Sequence, residues 1–292
     1  MTSITAIRIV KGDTVFHVHG DDAGAEGVWL AKGQVQGIYD APVESTWKSG
    51  AFQSGSTYRS RRFQHRDLKL GFHIKETLTS WEFNDSEFRR IFDYQPDPWD
   101  DNYQPTTIEV ETELSGTRKL DVLMFEAPDF DSELDPQMQQ FGNVIFSLRA
   151  GSPFWYEDDY TDSGSDSVTV VNQTDQTAFH KWVLPEGTFT LPDLPWTGAA
   201  GQRTTSGSRA VTVTVPAGGG VVDLDPQELM FRAADNSNLL AQLAGTFFEY
   251  PIPPYTPETV LPVSGGTVQV RIPVQWSRPW GLEMEMTPYV GS

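Results

Sequence analysis

His17 and His19 are one residue apart in a strand-like segment, so both imidazoles project from one face, a spacing that some metal sites use. His65 and His73 could join them only from elsewhere in the fold. Two partly exposed strand histidines are the plainer expectation, and no metal site is assigned. The acidic stretch Glu157, Asp158, Asp159, Asp162 and Asp166 invites a calcium loop. Counted back from Gly164, however, the first, third and fifth positions fall on Asp159, Thr161 and Ser163. The twelfth, where a bidentate carboxylate belongs, is Val170, so the stretch reads as a solvated linker. A cysteine count of 0 removes thiolate nucleophiles, iron–sulfur ligation and cysteine-based zinc sites. Gly218–Gly220 lies between two strand candidates with no helix behind it, which suits neither a phosphate loop nor a dinucleotide fingerprint. Neither G-x-S-x-G nor H-E-x-x-H occurs, and among 40 acidic residues no pair stands out as a glycosidase dyad. No catalytic, metal-ligating or cofactor-binding residue is assigned, and the chain is expected not to be an enzyme.

Binding chemistry is easier to find. The run from Tyr58 to Lys69 carries Arg59, Arg61, Arg62 and Arg66 among aromatics, the only dense basic patch. Such interleaving can bind nucleic acid. The whole chain, though, has Lys+Arg 21 against Asp+Glu 40, a formal charge of −19 that repels phosphate. An acidic surface of this protein or of a neighbouring copy is the better partner. Glu109, Glu111 and Glu113 alternate with Ile108, Val110, Thr112 and Leu114, so three carboxylates project from one strand face. They are ~7 Å apart, inside the ~8 Å screening length, and repel one another. Three readings stay open for them: a solvated face, a channel wall, or a contact with Arg59, Arg61, Arg62 and Arg66 of a neighbouring subunit. Trp182, Trp196, Trp276 and Trp280 are either core or, as the alternative centred on Trp182 and Trp276, a platform for sugar rings.

The elements that position these residues are mostly strands. Period-2 alternation or β-rich composition marks Ile4–Val10, Thr14–His19, Gly27–Leu30, Asp67–Lys75 and Gly142–Arg149. Leu68, Leu70, Phe72 and Ile74 share one face, as do Val144, Phe146 and Leu148. Thr106–Leu114 and Thr117–Glu126 form a hairpin across Ser115-Gly116. One helix is expected over Asn84–Tyr94, capped by Asn84 or Asp85, with Phe88, Ile91 and Phe92 inward and Pro96 and Pro98 preventing continuation. A weaker candidate covers Ser237–Ala244. A change to acidic, Ser/Gly-rich composition within Gly151–Ser167 suggests a domain boundary. Eight short strands follow: Val168–Val171, Ala178–Val183, Thr188–Leu191, Ala210–Val215, Val221–Leu224, Glu228–Phe231, Phe247–Tyr250 and Thr267–Pro273. Together these predict an all-β protein with two β-sandwich domains, at residues 1–152 and 153–292. No run approaches the ~18 apolar residues of a membrane span, and the opening segment lacks the regions of a signal peptide.

Several segments, in order and spacing, resemble the distal tail protein (Dit) family of siphophages, particularly minor tail proteins of phages infecting actinobacteria. In the first half they are Gly27-Val28-Trp29-Leu30 through Tyr39-Asp40-Ala41-Pro42-Val43, then Arg62-Phe63-Gln64-His65-Arg66-Asp67-Leu68-Lys69-Leu70. Phe146-Ser147-Leu148-Arg149 leading to Ser152-Pro153-Phe154-Trp155-Tyr156 follows. In the second half they are Asn172 through His180-Lys181-Trp182, Thr188–Asp193, Val222–Pro226 and Gln275-Trp276-Ser277-Arg278-Pro279-Trp280-Gly281. Gln173-Thr174-Asp175 stands where the family's turn carries Pro-Gly-Asp. The resemblance implies a homo-hexameric ring at the tail tip, surrounding the DNA channel without binding DNA specifically or entering a membrane. It implies tail tube, tape measure and tip or baseplate proteins as partners, no cofactor, and assembly in the host cytoplasm into the virion. The first domain would form the ring, and the second, galectin-like or jelly-roll, would point outward. The alternative function is a carbohydrate-binding tail or secreted protein acting in host-surface adhesion.

Overall fold

The computed structural model describes residues 5–131, 135–243 and 245–284. Strands dominate it, as the alternation predicted. The chain divides into two compact units, one of Met1–Trp155 with Ser277–Gly281 and one of Tyr156–Trp276 with Leu282–Ser292. No helix among the described residues is long and apolar enough to cross a membrane.

The first unit contains β1 (Ala6–Lys11), β2 (Thr14–His19), β3 (Val28–Gln36), β4 (Val43–Lys48), β5 (Thr57–Phe63), β6 (Arg66–Lys75), α1 (Trp81–Arg90), β7 (Thr106–Thr112), β8 (Gly116–Met124), β9 (Asp129–Asp131), α2 (Pro136–Gln139) and β10 (Phe141–Ala150). Seven strands run in the order β2-β1-β7-β8-β10-β6-β3, with β9 beside β10, while β4 and β5 pair only with each other. Alternation explains the core. Leu68, Leu70 and Phe72 of β6 sit opposite Leu148, Phe146 and Val144 of β10, and all six are at most 1% exposed. The β7–β8 hairpin closes with Thr112 opposite Gly116, whose φ of 67° suits the tight turn.

Helix α1 closes this core. The Phe88 ring lies 5.0 Å from Phe16 of β2, 4.8 Å from Phe72 of β6 and 5.6 Å from Phe146 of β10, and Phe92 stacks on Phe146 at 4.5 Å. Such aromatic pairs each add ~0.5–1.5 kcal/mol beyond their burial. The helix starts earlier than Asn84 and ends before Tyr94. Ser80 is its cap, accepting from the Phe83 N–H at 3.3 Å. Asn84 is buried instead and donates its side-chain amide to the Lys75 carbonyl at 2.7 Å, so its capping chemistry is spent on joining helix to sheet.

In the second unit, five strands are ordered Tyr160–Gly164, Val268–Ile272, Lys181–Leu184, Gly220–Asp223 and Phe231–Ala233, with separate pairs Ser167–Asn172/Thr256–Pro262 and Gly187–Pro192/Ala210–Val215. Trp182, Phe189, Phe231, Val170, Val222 and Val270 form its centre, each at most 1% exposed. Several expectations change here; the strand expected over Glu228–Phe231, for one, begins only at Phe231 and runs to Ala233. The acidic stretch is no simple linker: Tyr160–Gly164 is a strand with Asp162 opposite Val270, and the Asp162 carboxylate accepts from the Thr169 N–H at 2.6 Å. Phe247–Tyr250 is no strand, because the N–H groups of Glu249 and Tyr250 turn toward the buried Asp193 carboxylate. Ser237–Ala244 holds only a 3-10 turn at Leu240–Leu243, and Ala244 lies outside the described residues.

Candidate functional site

The connection between β3 and β6 is a hairpin on which nearly every residue is exposed. Glu44 lies opposite Arg62, Ser45 opposite Arg61, and Trp47 opposite Tyr58 after an irregularity in register. Trp47 and Tyr58 meet edge to face at 5.6 Å, yet remain 56% and 48% exposed. Arg61 lies over the Phe63 ring at 5.2 Å, and Phe63 packs on Phe154 at 4.8 Å. Phe52, at the turn, is fully exposed. Among the described residues Arg59, Arg61 and Arg62 form no ion pair. A two-stranded hairpin in water is marginally stable at best, and this one offers cations and aromatic faces, with Trp47, Phe52 and Tyr58 left exposed among the described residues.

Arg66 belongs to the same basic run but is fully buried. Its Nε donates to the Pro153 carbonyl at 2.8 Å, Nη1 to those of Gly37, Ile38 and Tyr39 at 3.0 to 3.1 Å, and Nη2 to that of Ser277 at 2.9 Å. Burial pushes its pKa down to about 10, partly offset by Asp40, so it stays charged at neutral pH. Arg66 therefore leaves the set of residues able to meet a neighbouring subunit. It fastens the chain entering β4, the start of β6 and the returning segment Ser277–Gly281. Arg118, also fully buried, donates to the carbonyls of Arg278 and Gly281, and Tyr39 meets Trp280 edge to face at 5.2 Å. These contacts are why Ser277–Gly281 packs with the first unit although it follows the second in sequence.

The three glutamates do not share one environment. Arg8 of β1 donates Nε to Glu109 at 3.2 Å and Nη2 to Glu111 at 2.8 Å, while Glu113 follows the end of β7. An open cleft of about 360 Å³ next to them is lined by Arg8, His17, His19, Asp22, Glu111 and Glu113, among others. His17 is committed to Glu26, which accepts its backbone N–H at 2.8 Å and meets its Nδ1 at 2.9 Å. Among the described residues no three His, Asp or Glu groups are arranged to hold a metal ion. Trp182 and Trp276 are 0% and 4% exposed, so neither can offer a face to a sugar. Trp182 occupies a central strand and packs edge to face on His180 at 5.5 Å.

No family model matches the chain. The minor tail proteins Gp27 of Mycobacterium phages D29 and L5 are each 27% identical to it, over 89% of this chain and 94% of theirs. The crystal structure of SPP1 Dit, described as a hub of the adsorption apparatus in phages infecting Gram-positive hosts, has the same fold. It superposes with a TM-score of 0.59 at 9% identity, covering 92% of this chain and 98% of that one. The chain thus shares the fold of SPP1 Dit and is similar in sequence to minor tail proteins of mycobacteriophages. Those relatives are minor tail and hub proteins of phages.

Two features of this Dit-like chain escaped the sequence reading. The β4–β5 hairpin has no buried face, so it lacks the alternation that reveals a strand, although Gly50 and Gly55 mark its turn. In the second unit, buried Asn172 donates to the carbonyls of Gln176, Ile252 and Pro253 and accepts from Thr174. The Gln173-Thr174-Asp175 turn is thus held by side-chain hydrogen bonds.

Proposed function

We propose that the chain is the distal tail hub, six copies forming a ring that joins the tail tube to the tip or baseplate proteins and surrounds the DNA channel. The unit of residues 1–155 makes the ring, and the galectin-like unit from residue 156 faces outward toward tip components. The observation that carries this reading is the uncovered β4–β5 hairpin. Its exposed Arg59, Arg61, Arg62, Trp47 and Tyr58 need a partner surface, and a chain carrying −19 supplies acidic ones on its own neighbours. The likeness to SPP1 Dit over nearly its whole length supports it. With Glu109 and Glu111 already bridged by Arg8, we assign the carboxylate face of β7 to the channel wall, where it repels the phosphate backbone. The role is structural and non-enzymatic, with tail tube, tape measure and tip proteins as partners and assembly in the host cytoplasm. Mass photometry of the purified full chain, alone and with its tail tube protein, tests this. A particle of six chain masses is expected, and a chain that stays monomeric in both mixtures refutes the ring.

A further inference from the structure

The loop from Ile91 to Pro105 complements the hairpin. It carries Asp93, Asp97, Asp100 and Asp101 and no basic residue. Trp99 at its tip is 92% exposed, and Tyr94 is 57% exposed. A tryptophan bared this far is unusual for a residue that is mostly buried in folded proteins. The loop is nonetheless held in one shape. The Trp99 N–H donates to the Asp97 carboxylate at 2.9 Å and the Asn102 N–H to that of Asp100 at 2.9 Å. The Tyr103 N–H donates to the Asp100 carbonyl at 3.1 Å. At its base the Tyr103 hydroxyl donates to Asp93 at 3.0 Å, and Lys11 pairs with the same carboxylate. Pro96, Pro98 and Pro105 stiffen it further. Little ordering entropy would be lost when such a loop is covered. Among the described residues Asp97, Asp100 and Asp101 form no ion pair.

We infer that the Trp99 loop of one chain docks on the β4–β5 hairpin of a second copy. The residues from Val43 to Phe63 include Lys48, Arg59, Arg61 and Arg62 against the single acid Glu44, the opposite charge to the loop. They also present aromatic faces, Trp47, Tyr58 and Phe52, onto which an indole packs. Both patches lie on the first unit and neither covers the other in its own chain, as the exposures show. The loop leads into β7 and the hairpin into β6, and these strands are separated by β8 and β10. The contact is therefore head to tail, using a different surface on each partner, and such contacts build rings when the rotation closes. Solvent-exposed ion pairs contribute little singly, so the aromatic anchor supplies the affinity and the charges set orientation. The inference rests on the ring reading and names which surfaces make the ring.

The absence of native cysteine makes the contact testable by cross-linking the full chain. Asp101→Cys in one preparation is mixed with Arg59→Cys, Arg61→Cys or Arg62→Cys in another and treated with a short bis-maleimide, each variant first confirmed by its melting curve. A cross-linked hetero-dimer is expected in at least one mixture, and a covalent ladder is expected from the corresponding double variant. Trp99→Ala, at an exposed site, should weaken self-association about 30-fold, the loss carried by a buried central aromatic. Oligomers that form without either cross-link, or that Trp99→Ala leaves unchanged, overturn the contact while the ring stands. A full chain that neither oligomerises nor cross-links at any concentration overturns both.

Discussion

Replacing Arg66 with Met tests whether a buried guanidinium holds the hairpin root. Met is close in volume and apolar, so the change removes five hydrogen bonds without opening a large cavity. The Ser277 carbonyl keeps the Ala41 N–H at 2.9 Å, which leaves those of Gly37, Ile38, Tyr39 and Pro153 to find other partners. An abandoned buried acceptor costs ~1–3 kcal/mol, and carbonyls near the surface recover part through water, so ~5 kcal/mol is lost. Relief of guanidinium burial opposes this. The fall in pKa from 12.5 to about 10 corresponds to roughly 3 kcal/mol at ~1.4 kcal/mol per unit. The net destabilisation is about 2 kcal/mol, and at ~2–4 °C per kcal/mol for a unit of this size the melting point falls by about 4–8 °C.

Differential scanning calorimetry of the full chain measures it, with Trp155, whose ring lies 5.9 Å from the Arg66 guanidinium, as a local fluorescence reporter. Only the transition of the first unit should move. Proteolysis within the β4–β5 turn should accelerate as well, because the same side chain fixes both ends of the hairpin. Arg59→Met is the control, an exposed arginine of the same run whose loss should stay within ~0.5 kcal/mol. If Arg66→Met shifts the first transition no more than Arg59→Met does, the buried clamp has no energetic role.

Three further outcomes follow from the same geometry. Gly37→Ala should destabilise the first unit by more than ~2 kcal/mol in urea unfolding, since Gly37 has φ 77° and a Cβ there would lie 2.0 Å from the Asp67 carbonyl oxygen. Gly33→Ala shares the backbone cost at φ 80° but meets no atom within 4 Å, so it should cost distinctly less; equal losses would refute the steric argument. The second unit should lose roughly 3 kcal/mol between pH 6.5 and about 4, because burial lowers the His180 pKa to about 4 despite Asp193 and Asp223. The unfolded chain takes up the proton first, so stability present above pH 6.5 drains away as pH falls, and a melting profile that is unaltered in His180→Phe refutes the assignment. Residues 156–292 expressed alone should melt cooperatively, because the unit owns its core around Trp182, Phe189 and Phe231, and an aggregated product would count against that independence.

Much of this fold was legible because burial leaves a period. Leu68 to Ile74 and Val144 to Leu148 alternate since one face of each strand is closed to water, and the structure buries those faces. Where burial is absent, so is the signal. The residues of β4 and β5 face solvent on both sides, which leaves composition alone to mark them. The strand Thr256–Pro262 begins and ends near proline, a residue that speaks against a central strand, yet it pairs only with Ser167–Asn172. Asp162 looked like linker because a carboxylate is read as solvent-facing, whereas here it accepts a backbone N–H from the next strand. Asn84 looked like a cap for the opposite reason: its amide serves a residue nine positions away, not the helix end.

The basic run shows where such reading stops. In sequence Arg59, Arg61, Arg62 and Arg66 are alike, and charge alone placed all four on one binding surface. Topology separates them. Arg59, Arg61 and Arg62 lie on a strand whose only neighbour is β4, so their guanidinium groups remain in water and available. Arg66 begins a strand flanked by β3 and β10, and its carbonyl partners come from positions up to 211 residues away. No local pattern encodes a site assembled from Gly37, Pro153 and Ser277 together. The division has a functional consequence, because the buried arginine fixes the hairpin on which the exposed ones are displayed. A substitution at Arg66 and one at Arg61 could therefore abolish the same assembly for different reasons, and only the first would also lower the melting point of the isolated chain.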